Sequence, residues 1–231
     1  MTSTGTYAWN PSTGDMVLTA FARCQIRRTE LTQQHLADAA TEANDLQIEF
    51  ANRMPLWWEI DTETQTATAG TAEYTLPARC ISIVAVWIVS GTGQSTNDRI
   101  ISPVSAYDYA SFPQKDTQGQ PTVYWWKKTI TPTITLWPVP DNTQTYTIKV
   151  RYLSQLQDSA VPSGSTTDMP ARFLSAFTAG LAARLSLIYK PESYDRLAMI
   201  AERAWGFAAE TDADDGANLY ISPGLNNYYR G

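Results

Sequence analysis

The spacing of apolar residues changes period twice along the chain, and this double switch limits the fold more than any other feature. Leu36, Ala39, Ala43, Leu46, Phe50, Met54 and Trp57 step by three or four residues, which lines one face of a helix. Further on the step is two. Tyr146, Ile148, Val150 and Tyr152 fall on one side of an extended chain, and Thr147, Lys149 and Arg151 on the other. From Leu174 the helical step returns, through Phe177, Leu181, Leu185 and Ile188. Helices and strands in segregated runs make an α+β fold.

Local signals place the remaining elements. A first helix is expected from Thr13, with Asp15 in its first turn and Val17, Leu18, Phe21 and Cys24 as its apolar stripe. Thr32 or a near neighbour is the expected cap of the second helix, and Pro55 is expected to end or kink it. Strands are expected over 59–68, 73–76, 79–89, 99–102, 122–127, 133–137 and 145–153. A short helix is expected over 103–112, with Pro103 in its first turn. Pro138 and Pro140 close one strand and are read as structural, because proline cannot donate to a sheet ladder. Asp168 is the expected cap of a third helix that Ala176, Ala179, Gly180, Ala182 and Ala183 keep slim. Pro191 opens a fourth, with Tyr194, Leu197, Ile200, Ala201, Ala204 and Ala208 facing inward. The simplest packing joins both helical pairs, residues 1–58 and 168–213, into one bundle. A mainly antiparallel β domain, 59–167, is inserted between them, and 214–231 is an extended tail.

Composition removes several function classes. Charged residues are 17% of the 231, while 8 Trp and 12 Tyr are present, the opposite of a disordered chain. A formal net charge of -6 and a pI near 4.8 disfavour a nucleic-acid binder with a generally basic surface. The longest apolar run, Ile81 to Val89, contains Ser82 and is far shorter than the roughly 20 residues of a spanning helix, so no membrane partner is expected. No leader pattern is visible at the N-terminus. Cys24 and Cys80 are expected to be reduced and buried, in a chain made in the cytoplasm.

The search for catalytic chemistry returns little. His35 has no marked nucleophile beside it and reads as a surface residue. Gly91 to Thr96 lacks the lysine of a phosphate-binding loop and reads as a hairpin loop. Asp212, Asp214, Asp215 and Gly216 do not match a calcium loop, because position 6 is Ala217 and position 12 is Pro223. They read as an acidic helix end with a partner's cation nearby, since helix C-termini prefer cations. Glu59, Asp61 and Glu63 alternate along one expected strand face, about 7 Å apart per step. Nothing marks a cleft there, so a solvated face outweighs a carboxylate pair for glycoside hydrolysis. Trp57-Trp58 and Trp125-Trp126 read as core or interface packing. No catalytic residue, cofactor or metal ligand is assigned, and the chain is read as no enzyme.

Several phrases, in this order, match one family: Tyr74-Thr75-Leu76-Pro77, Gly119 to Tyr124, Ile134 to Asp141, Thr145 to Tyr152, and Asp168-Met169-Pro170 ahead of a helix. Over about residues 18–209 the chain resembles the head-to-tail adaptor (connector, or head-completion) proteins of tailed bacteriophages. The resemblance implies a structural protein of the virion's head-to-tail junction. It implies a homo-oligomeric ring, usually twelvefold, that binds the portal protein, carries tail nozzle or tube proteins and extends the DNA channel. Double-stranded DNA would pass without specific binding along a carboxylate-lined wall. Glu59, Asp61 and Glu63 are the candidate channel-facing acids. A carbohydrate- or receptor-binding β module is the alternative that the Trp and Tyr content supports.

The tail carries Tyr220, Ile221, Leu225, Tyr228 and Tyr229 among Asn, Gly, Ser and Pro, with Arg230 its one charge from 218 onward. Such a segment orders on a partner through aromatic anchors. These five residues are the candidate contacts to the portal or a neighbouring subunit, in a tail expected to be mobile alone and fixed in the ring. A tail folded back on its own helices is the other reading.

Overall fold

The computed structural model describes residues 9–91, 96–159, 161 and 165–212. Two helices come first. α1, Thr13–Arg23, is capped by Ser12, whose Oγ accepts from the Asp15 amide at 3.1 Å. α2, Gln33–Arg53, is capped by Thr32 as expected, and Met54 ends it just before Pro55. The strands follow: β1, Ile60–Thr66; β2, Glu73–Thr75; β3, Cys80–Ser90; β4, Asn97–Val104. After α3, Ala106–Ser111, come β5, Val123–Lys127, β6, Thr133–Trp137, and β7, Tyr146–Ser154. α4, Ala171–Tyr189, and α5, Tyr194–Glu210, close the described chain, joined by a 3-10 turn, Pro191–Ser193. The elements are mixed α+β, in the order the apolar periods foretell.

Two expected helix starts are wrong. Pro103 belongs to β4, and α3 starts three residues later, where the Ser105 Oγ accepts from the Asp108 amide at 3.0 Å. A serine hydroxyl satisfies an orphan amide, which proline cannot do. Asp168 is not the cap of α4. Pro170 holds that position, and its fixed φ suits a helix entrance. Two residues assigned to buried stripes are also out of place: Ile188 and Ile200 are 47% and 45% exposed.

The strands form one sheet in the order β1-β7-β3-β4-β5-β6-β2, antiparallel except for β4 beside β5. The sheet curls until its two ends meet. Gln65 on β1 donates to the Thr75 carbonyl on β2 at 2.6 Å. The Tyr74 hydroxyl accepts from the Thr68 amide at 3.0 Å and donates to the Thr71 carbonyl at 2.9 Å. Two bulges in β3 skip Ile81 and Val84 in the ladder with β7, and bulges strengthen local twist. The curl encloses a core that includes Ile88, Ile134, Leu136, Ile148 and Tyr152.

A second core lies among the helices and includes Phe21, Phe50, Phe173, Phe177 and Leu181. α4 contacts α1, α2 and α5, which explains its weak periodicity, since a helix buried on most sides needs no polar face. By length and composition alone it could cross a membrane, with a mean hydropathy of 1.3, but 67% of that stretch is buried against its neighbours in the fold. Its small residues work inside the chain. A Cβ on Gly180 would sit 3.0 Å from Leu46 Cδ2, and Ala176, Ala179, Ala182 and Ala183 are all buried.

The chain is pinned where helices and sheet meet. The Trp58 ring lies 4.3 Å from that of Phe173. After β7, the Ser159 amide donates to Asn44 Oδ1 at 2.7 Å, and Gln47 donates to the Ser159 hydroxyl at 2.8 Å.

Candidate functional site

The three candidate acids do not share one face of one strand. Glu59 lies before β1, in the 3-10 turn Trp57–Glu59, because the chain is still turning off the Trp58 anchor there. Its Oε2 accepts from the Ser154 hydroxyl at 3.1 Å. Burial pushes its carboxyl above the usual range. The Ser154 hydrogen bond opposes that, and the charge of Asp168 adds to it.

Asp61 and Glu63 lie opposite Tyr152 and Val150 on β7. Directly paired residues point to the same side of a sheet, and Tyr152 and Val150 are core residues. The two acids therefore stand on the inner side, at the edge of the curl, and the outward row of β1 is Ile60, Thr62, Thr64 and Thr66. Asp61 is occupied there, held by Arg79 at 2.5 Å and by the Tyr152 hydroxyl at 3.3 Å. Among the described residues, no hydrogen bond or ion pair engages Glu63.

The outward side of the same strands carries cations, a consequence the β7 alternation already implied. Lys149 lies between Thr64 and Trp87, and Arg151 between Thr62 and Ala85. The Arg151 guanidinium lies over the Trp87 ring at 5.4 Å. An acidic chain thus presents a basic, threonine-rich sheet face, which net charge alone concealed.

The strongest electrostatic cluster lies among the helices and was invisible in the sequence. Arg184 on α4 bonds Glu42 at 3.0 Å and Glu49 at 2.7 Å, and Arg53 on α2 bonds Glu49 at 2.5 Å and Glu202 on α5 at 2.6 Å. The ladder borders a cavity of about 450 Å3. Burial raises the Glu49 carboxyl, but the hydrogen bonds from Arg184 and Arg53 outweigh it and hold the group below its usual value.

The other singled-out residues have structural occupations. His35 closes the capping box with Thr32 and stacks on Tyr189 at 4.5 Å. Burial, then the Asp38 carboxylate it bonds, push the Tyr189 hydroxyl up to about 12. Asp212 is buried and ion-paired with Arg172 of its own chain, so the cation expected from a partner comes from α4. Asp214, Asp215 and Gly216 lie outside the described residues, as do Tyr220, Ile221, Leu225, Tyr228 and Tyr229. Trp125 stacks on Tyr109 at 5.2 Å. Cys24 and Cys80 are free and buried, and burial pushes both thiols up to about 11. Among the described residues, no group of three or more His, Cys, Asp or Glu side chains is placed to hold a metal.

The sequence profile of a family described as SU10 adaptor protein matches residues 15–223. No curated protein matches the chain.

Proposed function

From the chain's membership of the SU10 adaptor protein family, a family of phage head-to-tail adaptors, we propose that it forms a ring under the portal of a tailed phage, extends the DNA channel and carries the tail proteins. The observation that carries this reading is the extent of the family match, which takes in both helical segments and the whole sheet. The chain's place in a virion as a structural adaptor follows from the family, and the ring, its twelvefold symmetry and its portal contact are the proposal. The two cores support a division of labour, with residues 1–58 and 168–213 as the helical unit and 59–167 as the β unit. A closed ring needs a heterologous interface whose rotation per subunit fits. The small residues of α4, Ala176, Ala179, Gly180, Ala182 and Ala183, are buried inside the chain, so other surfaces would form that interface.

The net charge of -6 supports passage of DNA without adhesion. Of the candidate channel acids Glu59, Asp61 and Glu63, Glu63 is the one with its carboxylate unengaged, and it is the position to test. Residues Tyr220, Ile221, Leu225, Tyr228 and Tyr229 are proposed to anchor each subunit on the portal or a neighbour. Electron microscopy of the purified protein mixed with its portal tests the reading. Rings seated on the portal are expected, and a strictly monomeric protein that never joins the portal overturns it. Deleting residues 218–231 is expected to leave the fold intact and weaken attachment.

A further inference from the structure

Three hollows meet along one side of α4. The first, about 710 Å3, lies between α1 and α4, bounded by Trp9, Met16 and Ser175. The second, about 180 Å3, lies between Arg23, Ala179 and Ile200. The third, about 380 Å3, lies between α4 and α5 and runs from Ile200 past Phe207 to Thr211. Arg23 lines the first two, Ile200 the last two, and Ser175 the first and third. The hollows are thus one groove with α1 and α5 as walls and the small side chains of α4 as floor.

The walls are apolar and open. Trp9 is 73% exposed, Phe207 60% and Ile200 45%. Four arginines, Arg23, Arg172, Arg196 and Arg203, line the same groove, in a chain with only 17 basic residues and a net charge of -6. An apolar trough edged with arginine fits a segment that joins apolar anchors to carboxylates.

We propose that this groove docks the chain's own C-terminal segment, residues 213–231. The segment starts at the mouth of the groove. Thr211 lines the third hollow, and Asp212 is buried there against Arg172. One oxygen of Asp212, Oδ2, has no partner among the described residues, which leaves an acceptor for the backbone that follows. The charges match: Asp214 and Asp215 follow in sequence within three residues of Asp212, which pairs with Arg172, and Arg203 lines the same hollow. The reach matches as well. From Thr211 back to Ile200 and Arg196, α5 covers about 16–22 Å at its rise per residue. Residues 213–219 in extended form span about 23 Å. Tyr220 and Ile221 then arrive at the hollow between Arg23 and Ile200. The inference concerns the isolated chain and does not depend on the adaptor reading. It replaces the expectation of a free tail with one stored on its own helices before any partner takes it.

Hydrogen exchange of the full-length chain, read by mass spectrometry at dilutions where it is monomeric, tests this. The amides of 217–225 should exchange about tenfold or more slowly than an unstructured peptide. The protection should vanish in an Ile200→Asp, Phe207→Asp variant whose melting temperature is unchanged, because both side chains are exposed. Free exchange of 213–231 in the parent chain overturns the proposal, and so does equal protection in the variant. Protection that grows with protein concentration assigns the groove to a second copy and overturns it too. A second construction avoids any question of folding. An Ile200→Cys, Ile221→Cys chain should close an intrachain disulfide on oxidation, since the two native thiols are buried. Cross-links only between chains, or none, refute own-chain docking.

Discussion

Adding one methyl group at Gly180 should change sign in its effect depending on Leu46. The Cβ of an alanine there would stand 3.0 and 3.1 Å from the two Leu46 methyl carbons. Carbon atoms are most comfortable at about 3.5–4.0 Å, so the overlap is roughly half an ångström or more. Leu46 is 3% exposed and has little room to retreat. Overpacking of this kind costs about 1–3 kcal/mol, while alanine in place of a mid-helix glycine returns about 1 kcal/mol. Gly180→Ala should therefore destabilise the chain by about 1 kcal/mol net. Leu46→Ala should cost about 3 kcal/mol as a buried truncation. In the Leu46→Ala background the overlap is gone, and Gly180→Ala should then stabilise by up to about 1 kcal/mol. The pair is thus coupled by about 2 kcal/mol, well beyond the scatter of independent sites. Urea unfolding of the four proteins, with equal denaturant slopes, reads it directly. If Gly180→Ala has the same sign and size in both backgrounds, α2 and α4 do not meet at this distance and the packing argument fails.

The glutamate-arginine ladder predicts an acid limit. Glu49 has its folded pKa lowered, so the stability it contributes is present above its unfolded value of about 4.3 and is lost as pH falls through the folded one. Partial exposure keeps that contribution to about 1 kcal/mol, and an Arg53→Met, Arg184→Met chain should lose less stability between pH 5 and the acid limit than the parent, as followed by thermal melting. Arg172→Met should cost more than Asp212→Asn, because only the former leaves a buried carboxylate uncompensated, and urea midpoints will rank them. At pH 8, Cys24 and Cys80 should react with a thiol reagent only as fast as the chain opens, since pKa values near 11 leave about one thiolate in a thousand. A fast-reacting thiol in the native protein would contradict their burial. Glu63→Lys should leave the melting temperature unchanged and slow DNA ejection if Glu63 faces the channel, and normal ejection by that variant removes it from the wall.

What the sequence disclosed was period, and what it withheld was pairing. Tyr146, Ile148, Val150 and Tyr152 could be assigned to one buried face because alternation is a property of a single strand, and all four lie within the sheet core. The cap at Thr32 was legible for the same reason, since a cap and its amide lie three residues apart. Asp61 and Glu63 show the opposite case. Their side of the sheet is set by which β7 residues they meet, and β7 is about 90 residues away in the chain. A strand of alternating threonines and acids reads as solvated on either side, so no local rule decides which set turns inward. The register decides it, placing the acids beside Tyr152 and Val150 and the threonines outside. The same limit hid the ladder, whose four bonds join α2, α4 and α5 across about 150 residues. It also hid the groove, which α1 and α5 form by flanking α4 on either side. Ile200 was assigned inward because it keeps step with Leu197 and Ala204, yet it stands on the shoulder of that face. An amphipathic helix reports that it has an apolar side, and only the neighbours fix how much of that side is covered.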